Sequence, residues 1–211
     1  MKKYNVKNVP LNQLIINGKA DNKLWSKASD LKSFCSPWQE INGTKTEFKA
    51  LWDEDYLFFC FHVSDDVIHI EKADNSFKSI NVSDRVELFF RENSKLNPYY
   101  CLEIDPTPRI MDFIAYPNKN FDFDWNWPKK DLDVKSNIND KGFTVEGKVS
   151  IAYLKKLNLL QNNKIETGIY RAKYFKTKES SYKPIWLTWV DPKTEVPNFH
   201  ISSSFGVLIL E

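Results

Sequence analysis

The sequence predicts an all-β chain folded as an antiparallel, jelly-roll-like β-sandwich with one or two short helices, and three observations carry that prediction. Many short runs alternate apolar with polar residues, the period of a half-buried strand. One run, YLFFCFHV over 56–63, is apolar on both faces, as a strand in the middle of a sandwich must be. The segments between runs lean on Asn, Asp and Pro for turning, since the chain has only 6 Gly. A chain of 211 residues can bury a sizeable core as one domain, 1–211, and no linker, repeat or low-complexity tract marks a second.

Taken in order, 11–16 predicts a short strand ending at Asn17-Gly18, and Asp21 is placed to cap a brief helix through Leu24, Trp25 and Ala28. Over 44–52, Phe48, Ala50 and Trp52 share one face while Lys45, Glu47 and Lys49 share the other. Asp53-Glu54-Asp55 turns the chain into 56–63, and an acidic, polar loop follows from Ser64.

The stretch 82–90, VSDRVELFF, then sets one face of Val82, Asp84, Val86, Leu88 and Phe90 against another of Ser83, Arg85, Glu87 and Phe89. The first face reads as core apart from Asp84. The second carries opposite charges beside an aromatic ring and predicts a surface that meets something polar. Pairing it as a hairpin with 99–104 sets Glu87 and Glu103 on one sheet face.

A strand over 110–116 leads into a loop, 117–130, whose FDFDWNWP is the densest aromatic-acidic cluster of the chain. The runs 132–138 and 142–150 form a further pair with Phe143, Val145 and Val149 inward, and 151–157 predicts a helical turn. Strands over 165–175, 185–190 and 205–210 complete the sandwich. A long loop through Pro192, Pro197 and His200 follows the second of them.

A formal charge of +2 is too balanced to make nucleic acid or an anionic membrane the main partner. No run approaches the ~18 apolar residues of a membrane span. The start, MKKYNVKNVPLNQ, lacks an apolar h-region, which predicts a cytoplasmic protein, or an extracellular or periplasmic one if a leader has been removed. Cys60 and Cys101 lie inside apolar strand patterns and predict buried thiols, with Cys35 a free thiol in a loop. The informative excess is aromatic: 15% of residues, including 7 Trp, more than a core of this size needs, which leaves indoles for binding.

The ordered set of Trp25-Ser-Lys-Ala28, KALWDEDYLFFCFHVSDD, SDRVELFF, YYCLEI, GFTVEGKVSIAYL and WLTWVDPKTEVPNFHISSSFGVL resembles the family 9 carbohydrate-binding modules, and most closely the stand-alone family 9-like proteins. The resemblance covers nearly the whole chain and implies a sandwich that binds sugar without catalytic machinery. It implies ligand contacts from Glu87, Glu103, Arg171 and Trp189. It also implies structural calcium in some members, for which Asp53, Asp55, Asp65 and Asp66 are the candidates here.

The residues themselves support a mono- or oligosaccharide ligand. A pyranose lays its C–H face on an indole and offers its hydroxyls to carboxylates, Arg and amides at the ring edge. Arg85, Glu87 and Glu103 supply the polar part. Arg171 joins them, because Ile169, Arg171 and Lys173 share one face of their strand while Tyr170, Ala172 and Tyr174 share the other, which reads as core. Trp186 and Trp189, three apart, point to opposite faces, one of them buried; Trp125 and Trp127 make either a packed lid or a sugar platform. Two other classes stay open: a glycoside hydrolase using the paired Glu, and a haem-binding sandwich using Met111 with a histidine.

Overall fold

The run that is apolar on both faces sits where its composition demands, in the middle of a sheet. The computed structural model describes residues 1–211. The strands are β1 (Lys3–Asn8), β2 (Thr44–Trp52), β3 (Tyr56–Asp65), β4 (Arg85–Arg91), β5 (Tyr99–Ile104), β6 (Ile110–Tyr116), β7 (Asn120–Asp122), β8 (Leu132–Asn139), β9 (Gly142–Ser150), β10 (Leu160–Gln161), β11 (Lys164–Lys176), β12 (Tyr182–Thr188) and β13 (Gly206–Leu210). Two short helices, α1 (Phe77–Asn81) and α2 (Ile151–Lys156), complete the set.

One sheet runs β1-β2-β3-β9-β8. The other runs β7-β6-β5-β4-β11-β13-β1, with β10 and β12 also paired to β11. Every pairing is antiparallel except at β1, which lies parallel to both β13 and β2 and so belongs to both sheets. The all-antiparallel expectation therefore fails at this one strand. The strand expected over 11–16 is also absent, because the chain's first ladder is made earlier, by β1. Instead 9–28 drapes over the outside of the first sheet, and Asn22, not Asp21, caps the 3₁₀ turn that carries Trp25.

Alternation along the strands then makes three apolar layers. Between the sheets lie Phe48, Phe59, Phe61 and Val145 from one and Val86, Leu88 and Phe90 from the other; each such side chain contributes roughly 1.5–3 kcal/mol on burial. Outside the first sheet, Val9, Leu14, Ile16 and Trp25 cover Leu51, Phe58 and Cys60. Buried Glu146 anchors this cover, accepting from the Trp25 indole (2.6 Å) and the Gly18 backbone N–H (2.6 Å). Outside the second sheet, Phe89, Tyr99, Cys101, Phe113 and Tyr170 are covered by Ile80 of α1 and by Phe199 and Phe205. Cys60 and Cys101 are buried, Cys35 is half-buried, and each is a free thiol. No helix is long and apolar enough to cross a membrane.

Candidate functional site

The outer layer of the second sheet is incomplete, and the gap is a cavity of about 640 Å³. Its floor is Arg85, Glu103, Met111 and Trp186, brought together by register. Glu87 pairs with Glu103, which pairs with Met111, and Arg85 pairs with Ala172, which pairs with Trp186. These residues point to one side because side chains alternate along strands. The walls are Phe77, Lys78 and Asn81 of α1, then Lys119, Phe121 and Phe123 around β7, and finally 197–200 of the long loop after β12. That loop is tied down: the Trp38 indole donates to the Thr194 carbonyl (3.0 Å), and the Tyr170 hydroxyl lies 2.8 Å from Ser204 Oγ.

On the floor, Arg85 Nε donates to Glu103 (2.5 Å) and lies 3.0 Å from Glu87, while Nη1 donates to the Asn81 carbonyl (2.7 Å). The guanidinium carbon stands 5.2 Å from the centre of the Trp186 ring, so a half-buried indole is held on a fixed cation. Burial, then the Glu103 carboxylate beside it, raises the Glu87 pKa well above the usual carboxylate range. Phe113 packs on Phe123 and Phe121 (4.8 and 5.1 Å), and Phe199 on Trp186 (5.0 Å), giving aromatic walls on both sides of this floor.

His200 closes one wall, with Nδ1 2.9 Å from the Tyr99 hydroxyl and its ring stacked on Phe199. Burial, reinforced by the Lys119 and Arg85 charges, pushes its pKa down to about 3. Its unfolded value is near ~6.5, so below that pH the unfolded chain takes up a proton that the folded one refuses. This part of the stability is intact above about pH 6.5 and is lost as pH falls towards 3, by at most ~1.4 kcal/mol per pH unit. Urea unfolding of His200→Gln should show a shallower acid slope than the parent; equal slopes would exclude this origin.

Of the residues expected at the site, Arg85 and Glu103 border the cavity, while Glu87 shares their face but is fully buried beside Tyr170, on which Phe199 stacks at 4.6 Å. The charged face of 82–90 is thus covered, not solvated. Arg171 is on the other face. It pairs with Val86 and points between the sheets, where it donates to Asp65 and Thr44 and lies 3.6 Å from Asp84. Ile169, Arg171 and Lys173 form the inner row, the reverse of the expected parity.

Trp189, 2% exposed, is also inner core and lies so close to Gly206 that a Cβ there would be 2.4 Å from its ring. Trp125, half-buried, and Trp127, buried, fold back on Tyr100 (5.1 Å) and Phe90 (5.8 Å) and pack on the inner core, away from the cavity. Of the tryptophans, Trp186 is the one that borders the cavity.

The chemical alternatives fare as follows. Asp53 and Asp65 flank opposite ends of the ten-residue β3, roughly 30 Å apart at a strand's rise. Asp53 accepts three backbone N–H groups, and Asp65 is paired with Arg171 and Lys173 (3.1 Å). Asp53 and Asp65 are thus committed to the protein's own donors, and the four candidate carboxylates do not gather in one cluster. Met111 and His200 both border the cavity, but Met111 is packed into the outer apolar layer and His200 is engaged with Tyr99, so a haem pair is not free to ligate. Glu87 and Glu103 stand side by side on one sheet and share one arginine, whereas a glycosidase sets its carboxyls on either side of the scissile bond.

The cavity residues that sequence reasoning did not reach are those of α1. Ser76, whose hydroxyl accepts from the Ser79 N–H (3.4 Å), is an N-cap that could have located α1.

A profile described as "Carbohydrate family 9 binding domain-like" matches residues 16–211. Among solved structures, a family 9 carbohydrate-binding module from Caldicellulosiruptor kristjanssonii in complex with cellotriose has TM-score 0.66 and 17% identity, over 100% of this chain and 94% of that one. The same organism's module in complex with glucose gives 0.65 and 16%, over 100% and 96%. A carbohydrate-binding candidate from Bacteroides uniformis gives 0.74 and 15%, over 100% and 99%. These likenesses show the sandwich fold. A search of curated proteins finds no match.

Proposed function

Starting from the fact that this chain belongs to the carbohydrate family 9 binding domain-like family, we propose that it binds a mono- or oligosaccharide without catalysis, in the cavity outside the second sheet. The observation that carries the reading is the pairing of Trp186 with Arg85 on a floor enclosed by aromatic walls. A sugar ring would lie against Trp186 and the Phe121–Phe123 wall, with hydroxyls turned to Asn81, Asn198 and His200. Asn198 Oδ1 is buried without a hydrogen-bond partner, an acceptor that a sugar hydroxyl would satisfy. The walls are fixed by Trp38, Tyr170 and Ser204, so little ordering is needed on binding.

Hydrolysis is not expected, because Glu87 does not reach the cavity and Glu103 is held by Arg85. The test is a glycan array with purified protein, followed by amide chemical-shift mapping of the best ligand. Shifts should centre on Phe121, Trp186 and Asn198. Silence across the array, or shifts centred on Trp125 and Trp189, would overturn the reading.

A further inference from the structure

We infer that the saccharide carries an anionic group, a carboxylate or a sulfate ester, set at the rim between Lys78 and Lys119; this rests on the sugar-binding role proposed for the same cavity. The charged side chains bordering the cavity are Lys78, Arg85, Lys119 and Glu103. Arg85 is engaged on the floor by both Glu103 and Glu87, so neither it nor Glu103 is free to meet a charged ligand. Lys78 and Lys119 remain, both exposed. Neither takes part in any of the protein's ion pairs, so each keeps a free ammonium at the cavity mouth.

The nearest acidic residues in sequence are turned to other work. Asp74 accepts from Ser76 and Ser79, at 2.6 Å each. Asp122 and Asp124 alternate with the two Phe that form the wall, and Asp122 accepts the Asp124 N–H (3.0 Å). His200 borders the same cavity, and its pKa is lowered by burial first and then by the Lys119 charge. A neutral sugar would use the aromatic walls and Asn198 but leave both ammonium groups to water. An anionic sugar satisfies all of them.

The test is an array of matched pairs, each uronate beside its carboxyl-reduced hexose and each sulfated sugar beside its unsulfated parent, with calorimetry on the best pair. The acidic member should bind about tenfold more tightly, the yield of two partly exposed charge contacts. That advantage should vanish at raised ionic strength, where screening shortens to ~3 Å at 1 M salt. It should also vanish in Lys78→Gln/Lys119→Gln. Preference for the sulfated or the carboxylated pair names the group. Equal or tighter binding of the neutral members overturns the inference and leaves the sugar-binding proposal standing; no binding to any member overturns both.

Discussion

Arg171→Ala should destabilise the protein by about 3–5 kcal/mol, the cost of removing one partner from a buried ion pair. Arg171 is fully buried between the sheets, and its guanidinium joins Asp65 and Thr44 of the first sheet to Asp84 beside β4 of the second. Without it, two buried carboxylates face the single ammonium of Lys173, at 3.1 Å from Asp65 and 3.4 Å from Asp84. Burial raises the Asp65 pKa, but Arg171 and Lys173 outweigh it and hold the carboxyl below its usual range; at Asp84 burial wins and the pKa is raised. Asp84 is therefore already the strained member, and the variant strains it further. Removing the long side chain also leaves a void. The melting temperature should fall on the order of 10 °C, while whatever sugar the parent binds should bind the folded variant normally. A variant of parental stability that no longer binds would reverse the assignment of this residue.

Trp186→Ala should weaken sugar binding at least ~30-fold, about 2 kcal/mol, as truncation of a central indole anchor does. The ring is half-buried, packed between Phe199 and the Arg85 guanidinium, and is the only Trp bordering the cavity. Trp186→Phe should recover part of the loss, since a smaller flat ring still offers a stacking face. Trp125→Ala, whose ring rests on Tyr100 at the other side of the sheet, should bind like the parent. Calorimetry on the same ligand measures all three. A Trp186→Ala protein within twofold of the parent would place the ligand elsewhere.

Why the sequence misplaced Arg171 and pointed to Trp189 instead of Trp186 comes down to what alternation reveals. Alternation tells which residues share a face, not which face is inside, unless one face is plainly polar. In 82–90 the row Val86, Leu88 and Phe90 is wholly apolar, and it is the inner row. In β11 one row is Ile169, Arg171 and Lys173 and the other Tyr170, Ala172 and Tyr174, and all six are buried. The charged row looks outward only until its partners are known, and Asp65 and Asp84 come from 106 and 87 positions away. Register resolves it, because Arg171 pairs with Val86.

The same limit governs the tryptophans. A spacing of three made one of Trp186 and Trp189 buried, and pairing with Ala172 put Trp186 on the Arg85 row. In FDFDWNWP the eye goes to the indoles. The two Phe reach the cavity, because β7 turns them towards Phe113 while the chain beyond folds back over Tyr100.

The doubled role of β1 has a mechanical consequence. Its neighbour β13 runs alongside it in the same direction, with Lys3 beside Val207 and Val6 beside Leu210. Tension applied between the first and last strands therefore acts along their shared ladder, not across it. The hydrogen bonds from the Val207 N–H to the Lys2 carbonyl and from the Glu211 N–H to the Val6 carbonyl, 3.0 Å each, take the load together with those between them. An unzipping geometry would break them one at a time. Because β1 is also bonded to β2, its detachment opens the seam of both sheets at once. The two ends of the chain are thus fastened in shear, at the one place where the sandwich is a single sheet.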